Sequence, residues 1–249
     1  MSISIFKYVI RNILDSLGYQ LSNSKQFGNN ILNDLRAILP SDRELIAFDI
    51  GANLGQTTIE FANAFKKSLI YSFEPDPAAF LELEKKVKTY PNIKTYNVGF
   101  GDKNGKIQMN INKGSGGNSI LSVSDKINAF ASGDWTERIG QTDVEITTLN
   151  SFCEANHIDR IDLIKIDTQG YEINILKGGG KVLSPTFTKV VYIEVLFVEL
   201  YKEQAYFIDV FKILTERGYK LVGIYNKFYS EERPYFLLWC DAIFVSESI

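Results

Sequence analysis

Four acidic residues stand where an α/β scaffold most readily does chemistry. Asp49 follows the apolar run Leu45-Ile-Ala-Phe48, and Glu74 closes Leu69-Ile-Tyr-Ser-Phe73. Asp167 closes Ile161-Asp-Leu-Ile-Lys-Ile166, and Glu194 sits near the end of the run Lys189 to Val195. Each run reads as a strand. Ligands of open α/β sheets bind outside the carboxyl ends of the strands. Asp49, Glu74 and Asp167 are therefore expected to point into one crevice. Glu194 either joins them or pairs with Lys165 or a surface cation. Carboxylates placed this way can meet a cationic ligand, hold the two hydroxyls of a ribose, or take a proton.

The stretch after Asp49 narrows the choice of ligand. Gly51, Asn53 and Gly55 form a turn, and a helical pattern follows with Ile59, Ala62 and Phe65 on one face. Glycine permits backbone conformations closed to other residues and lets the chain approach a ligand. Asparagine tolerates the left-handed region better than most residues. Gln56 and Thr57 open the helix, whose free N–H groups face a bound molecule. Glu74 lies about 20 residues past the turn, the spacing for a ribose contact. NAD and S-adenosylmethionine both fit this outline. The NAD fingerprint needs G-x-G-x-x-G, and the frame from Gly51 has Asn53 and Gln56 in place of the second and third glycines. Asp49 also suits a cationic amino group better than a pyrophosphate. S-adenosylmethionine is the favoured cofactor. The alternative without a ligand is a tight strand-to-helix connection.

Composition limits the function. The chain has 249 residues and a net charge of −3. No basic field exists to attract nucleic acid. Cys153 and Cys240 are the two cysteines, too few for a disulfide framework or a zinc cluster. No apolar run approaches the roughly 20 residues of a membrane span, and the start lacks the apolar core of a signal peptide. A cytoplasmic protein is expected.

The elements that position the acids alternate along the chain. Residues 1–40 read as an N-terminal helical extension and 41–249 as the main domain. A helix is expected over 3–17, striped by Ile5, Val9, Ile13 and Leu17 and stopped by Gly18. It either packs on the domain or serves as a membrane-surface or dimer helix. A second helix covers 28–38, and Pro40 and Asp42 break the chain. Pro75 and Pro77 open a helix faced by Phe80, Leu83 and Val87. Ile93 to Phe100 reads as one strand, and Gly101 to Asn112 as a hairpin. Residues 113–143 fit no element and suggest a lid or a flexible loop. Val144 to Leu149 is strand-like, with a short helix after it. A helix over 199–217 turns Phe207, Ile208, Phe211 and Leu214 inward. Tyr219 to Tyr225 and Trp239 to Val245 close the chain as strands. The polar loop 226–234 between them carries Phe228 and Tyr229, which either pack on the sheet or stack on a sugar face of a substrate. His157, the single histidine, falls before the strand of Asp167, away from the crevice, and is expected to be structural.

D-I-G-A-N-L-G at 49–55, F-E-P at 73–75, T-L-N at 148–150 and L-I-K-I-D-T-Q-G-Y-E-I-N-I-L-K-G at 163–178 resemble the FkbM-type methyltransferases. The resemblance runs from about Ile46 to Glu194. It implies a class I methyltransferase fold: a Rossmann-like, seven-stranded, mostly parallel sheet with helices on both faces. By resemblance Asp49, Gly51, Asn53 and Gly55 cradle the methionine part of the cofactor. Glu74 holds the ribose, and Gly99 and its neighbours border the adenine. Asp167 lies near the sulfonium and the acceptor. Gln169 stands where many relatives carry a glutamate. The implied reaction is O-methylation of a hydroxyl on a sugar or natural-product scaffold. Its base would be Asp167 or Glu194, with Lys165 nearby. A divalent cation bridging these carboxylates to a sugar diol would suit their oxygen ligands, and the sequence shows no motif for one. A nicotinamide-dependent oxidoreductase and a non-catalytic cofactor-binding module are the alternatives. The missing third glycine opposes the first, and the intact acids and turn glycines oppose the second.

Overall fold

The run before the first acid forms β1 (Leu45–Ile50), buried at every position but Ile46. In the computed structural model, which describes residues 3–17, 26–40 and 42–247, β1 sits near the middle of a seven-stranded sheet. Its companions are β2 (Ser68–Phe73), β3 (Ile93–Tyr96), β7 (Ile161–Ile166), β8 (Thr188–Leu196), β9 (Tyr219–Tyr229) and β10 (Leu237–Ser246). The spatial order is β3-β2-β1-β7-β8-β10-β9. Strands β3 to β8 in that order run parallel. β10 is antiparallel to both β8 and β9. The order reverses between β1 and β7, so the crevice opens at that switch point.

Alternating side chains feed two cores, one on each face of the sheet. Phe48, Ile50, Ile164 and Ile166 join the core that receives Leu149, Leu176 and Leu214. Ala47, Leu163 and Val190 join the other, with Leu35, Phe61 and Phe65. The helices that supply these cores are α2 (Ile31–Ile38), α3 (Gln56–Ala64), which Phe65 caps, α5 (Leu149–Ala155), α6 (Glu172–Lys177) and α7 (Phe207–Glu216). The α/β, doubly covered, mostly parallel architecture expected from the sequence is present. Helix α4 (Pro77–Val87) follows β2 and starts on an Asp76 cap that accepts from the Ala78 N–H at 3.0 Å. Pro77 costs this helix no hydrogen bond, because first-turn N–H groups have no intrahelical partner.

A second, three-stranded sheet covers the crevice: β4 (Gly99–Phe100), β5 (Gly105–Asn112) and β6 (Arg138–Thr147), in the order β4-β6-β5. It corrects two expectations. The strand expected over 93–100 divides at Asn97, whose Nδ2 donates to the Glu74 and Pro75 carbonyls at 2.8 and 3.0 Å. The hairpin expected within 101–112 does not form, because β5 pairs with the distant β6. Residues 113–143 hold three short 3-10 turns, at Ser115–Gly117, Ile127–Ala129 and Asp134–Thr136, and then enter β6.

Helix α7 is shorter than the span 199–217. Gln204 Oε1 accepts from the Leu200 and Tyr201 N–H groups, both at 2.8 Å, and holds that stretch as a turn. Ile208 is exposed, and Val210 takes the buried position instead. The polar loop is also shorter, since Phe228 and Tyr229 belong to β9. Helix α1 spans Ile3–Ser16, and Val9, Ile13 and Leu17 of its expected apolar stripe are exposed. Gly18, its expected stop, lies outside the described residues. No helix among the described residues is long and apolar enough to cross a membrane.

Candidate functional site

The turn after β1 is held in left-handed conformations, with φ of 78° at Gly51, 47° at Asn53 and 84° at Gly55. At Gly51 the reason is crowding: a Cβ there would lie 1.8 Å from the carbonyl oxygen of Asp167. The first turn thus rests directly on the second motif. Gly55 serves packing, since a Cβ there would meet Leu83 of α4 at 2.7 Å.

Glu74 sits beside this turn. Its Oε2 accepts from the Asn53 N–H at 2.7 Å, and its Oε1 from the Asp76 N–H at 2.9 Å. Burial raises its pKa to about 7 against the pull of those two hydrogen bonds. Both oxygens keep acceptor capacity. They border a cavity of about 160 Å³ that Gly51, Asn53, Gly99, Asp167 and Gln169 also line. Phe73, Phe100, Met109 and Tyr171 supply apolar walls, and Ser115, Gly116 and Asn118 close it from the segment after β5. That segment is tied down. Asn118 Nδ2 donates to Asp76 Oδ2 at 2.9 Å, and Asn112 Nδ2 to the Gly117 and Trp135 carbonyls at 2.6 and 2.8 Å.

Asp49 is fully buried. Its Oδ2 accepts from the Thr58 hydroxyl at 2.5 Å. Its Oδ1 has no hydrogen-bond partner and lies 3.6 Å from Lys165 Nζ. Asn53 Oδ1 is likewise buried without a partner. Such atoms are costly unless a donor arrives. Asn53 and Glu74 thus offer acceptors at a cavity with apolar walls, a set that fits the amino and ribose groups of S-adenosylmethionine. Asp49, Gly55, Gln56 and Thr57 are not among the lining residues.

The second motif builds a polar relay. Asp167 Oδ2 accepts from Lys165 Nζ at 3.0 Å and Oδ1 from Gln169 Nε2 at 2.9 Å. Burial opposes the Lys165 charge, but Asp167 and then Asp49 outweigh it, so the ammonium is retained. Gln169 takes a φ of 56°. Its Nε2 also donates to Glu194 Oε2 at 3.2 Å, and its Oε1 accepts from the Tyr201 hydroxyl at 2.8 Å. Glu172 shapes the turn itself. It accepts from the Thr168 N–H, the Thr168 hydroxyl and the Gly170 N–H at 2.8, 3.1 and 3.2 Å. Burial raises its pKa to about 7. Glu194 is pushed well above the usual carboxylate range by burial, with Asp167, Glu172 and Asp241 adding to the effect.

Glu194 faces a second cavity of about 320 Å³, lined also by Gly116, Trp135, Gln169, Leu196, Leu200, Phe228 and Trp239. Gly116 and Gln169 line both cavities. The structure therefore brings Asp167, Glu194 and Lys165 together with the turn and Glu74. His157 lies exposed after α5, before β7 begins. Among the described residues, no three His, Cys, Asp or Glu side chains are placed to hold a metal ion. The sequence reading missed Asn118, Trp135 and Glu172. Trp135 was visible only as a tryptophan in a stretch without periodicity. Glu172 was visible within the second motif, four residues after Thr168.

Residues 49–221 match the methyltransferase FkbM domain. The chain belongs to the FkbM methyltransferase-domain family. Among curated relatives, it is 29% identical over 163 residues to "2-O-methyltransferase NoeI" of Sinorhizobium fredii (strain NBRC 101917 / NGR234), covering 64% of this chain and 66% of that one. It is 26% identical over 152 residues to "Methyltransferase 1" of Beauveria bassiana (strain ARSEF 2860), covering 57% and 60%. In both pairs the match spans less than two thirds of the relative's length. Among solved structures, an rRNA methylase from Streptococcus thermophilus superposes with a TM-score of 0.50 at 12% identity, over 90% of this chain and 99% of that one. That likeness bears on the fold alone.

Proposed function

We propose that this FkbM-family chain is an S-adenosylmethionine-dependent O-methyltransferase acting on a hydroxyl of a sugar or natural-product scaffold. The observation that carries the reading is the pair of adjoining cavities, one bordered by Glu74 and the other by Glu194, which share Gly116 and Gln169. The family favours methyl transfer over the nicotinamide alternative. The name of the Sinorhizobium relative, a 2-O-methyltransferase, favours oxygen as the acceptor atom.

Bound S-adenosylmethionine supplies an activated methyl on a sulfonium, which transfers to oxygen as the carbon–sulfur bond breaks. The protein's part is positioning and proton removal. Glu74 takes the ribose hydroxyls on its free acceptor sites. Gly51 and Asn53 hold the methionine part, with Asp49 behind them. Gly99, Phe100 and Tyr171 border the adenine. Asp167 is fixed from two sides by Lys165 and Gln169 and presents negative charge beside the transferring group. Glu194 is the base. It faces the second cavity, and Gln169 Nε2 donates to its Oε2 at 3.2 Å. Gln169 orients Glu194 through its amide and couples it to Asp167.

Calorimetric titration of the protein with S-adenosylmethionine, S-adenosylhomocysteine and NAD tests the cofactor. Micromolar binding of the first two and none of the third is expected. Binding of NAD alone would overturn the proposal.

A further inference from the structure

The chemistry of the second cavity constrains what can enter it. Both tryptophans of the chain line it. Phe228 stacks on Trp239 with ring centroids 4.0 Å apart and planes 8° apart. Trp135 meets Trp239 edge-on at 6.0 Å. Leu196 and Leu200 extend the apolar wall. The polar end consists of Glu194 and Gln169. Aromatic walls with a few convergent polar groups suit a ring that has one apolar face and a hydroxylated edge.

The charge balance at that end is one-sided. Glu194 feels the carboxylates of Asp167, Glu172 and Asp241. The nearby cation, Lys165, is already engaged by Asp167 at 3.0 Å and Asp49 at 3.6 Å. No Lys, Arg or His lines either cavity among the described residues. An anionic acceptor would shed water there and meet like charge without a partner. An amino group would be tolerated by the carboxylates and by the aromatic faces.

The same wall is joined to the roof of the first cavity. A Cβ on Gly117 would lie 2.0 Å from the Trp135 carbonyl oxygen, so the two segments are in direct contact. Asn112 holds both carbonyls. A ligand that orders Ser115–Gly117 therefore also orders Trp135.

We propose that the cavity between Trp239 and Glu194 is the acceptor site, that it admits an uncharged or amino-substituted ring bearing the reacting hydroxyl, and that it rejects acceptors carrying a carboxylate or phosphate beside that hydroxyl. The proposal rests on the methyltransferase reading and narrows its substrate class. The ring lies with its apolar face toward the aromatic wall and its hydroxyl toward Glu194 and Gln169.

Both tryptophans report on this one site, so intrinsic fluorescence tests the proposal directly. The full chain, saturated with S-adenosylhomocysteine, is titrated with methyl pyranosides of gluco, galacto, manno and fuco configuration. Amino and uronate counterparts of the hexosides are titrated in parallel. At least one neutral or amino ring should change the emission saturably, and its uronate counterpart should bind at least about tenfold more weakly. Equal or tighter uronate binding, or no response to any ring, overturns the proposal. Calorimetry with S-adenosylhomocysteine separates the two readings. If the nucleoside binds and no ring does, the acceptor class fails and the cofactor site stands. If the nucleoside itself fails to bind, the methyltransferase reading falls and this proposal with it.

Discussion

Glu74 has a pKa of about 7, pushed there by burial, so its ligand grip should depend on pH in the physiological range. The ionised form accepts hydrogen bonds on both oxygens, and the protonated form loses acceptor capacity. Two of its acceptor sites are occupied by the Asn53 and Asp76 N–H groups. The rest are what a ribose would use. Affinity for S-adenosylhomocysteine should therefore be full above pH 7 and decline as pH falls through it. Glu74→Ala should cost roughly 1.5–3 kcal/mol of that affinity while the fold persists. Calorimetry at pH 6 and 8 on both proteins checks this, and a wild-type affinity that ignores pH would refute the ribose contact. Glu194 separates from Glu74 by what it changes. Glu194→Gln keeps the shape of the second cavity but removes the base, so kcat should fall by roughly 100-fold or more. Its affinity for S-adenosylhomocysteine should stay as it was. If kcat survives, Asp167 becomes the base. The acids were legible in the sequence because each ends an apolar run. The hydrogen bonds that Gln169 makes to Glu194 and Tyr201 were not, because they join residues 25 and 32 positions apart.

At the scale of elements, two strand-to-helix turns carry the site, and they lean on each other. Gly51 is where they touch. A side chain there would collide with the Asp167 carbonyl at 1.8 Å and would have to adopt a φ of 78°. Gly51→Ala should therefore cost about 3 kcal/mol or more, from strain and overpacking together. Gly140→Ala is the control, since nothing lies within 4 Å of a Cβ at that position. Urea midpoints of the two variants should differ widely, and similar midpoints would mean that the turns relax apart. The long parallel strands could be read from composition, since runs such as Ile161–Ile166 are buried throughout. The second sheet could not. Its strands pair across a long sequence gap, and β4 leaves the main sheet because one side chain, Asn97, captures two carbonyls. Residues 113–137 are ordered by hydrogen bonds from Asn112 and Ser119 and by the bridge from Val123 to Tyr201. Such contacts leave no period in the sequence.

Across the whole molecule, the crevice gathers acids that the fold keeps out of water, and this should govern stability. Glu74 and Glu172 are raised by burial from 4.5 to about 7, and burial also raises Glu194 and Asp241. In the unfolded chain these groups release their protons near their ordinary values. Between about pH 4.5 and 7 the folded chain therefore holds protons that the unfolded chain has lost. Stability must then fall as pH rises through that window. The contribution of Glu74 and Glu172 is fully present below 4.5 and is gone above about 7. Each could account for about 3 kcal/mol at most. Exposed Glu82 and half-buried Glu199 work in the opposite sense, lowered by hydrogen bonds from Lys85 and Lys126, but solvent screens such pairs. Binding at Glu74 should reverse part of the loss, because ribose hydroxyls favour the ionised carboxylate. The melting temperature without ligand should thus be higher at pH 5.5 than at pH 8. With saturating S-adenosylhomocysteine the gap should narrow, since the ligand stabilises most where Glu74 is ionised. Scanning calorimetry at the two pH values, with and without the nucleoside, measures both effects. A ligand-free melting temperature that is flat or rises with pH would mean that the crevice acids ionise as freely in the folded chain as in water. The case for Glu194 as a carboxyl raised by burial would fail with it.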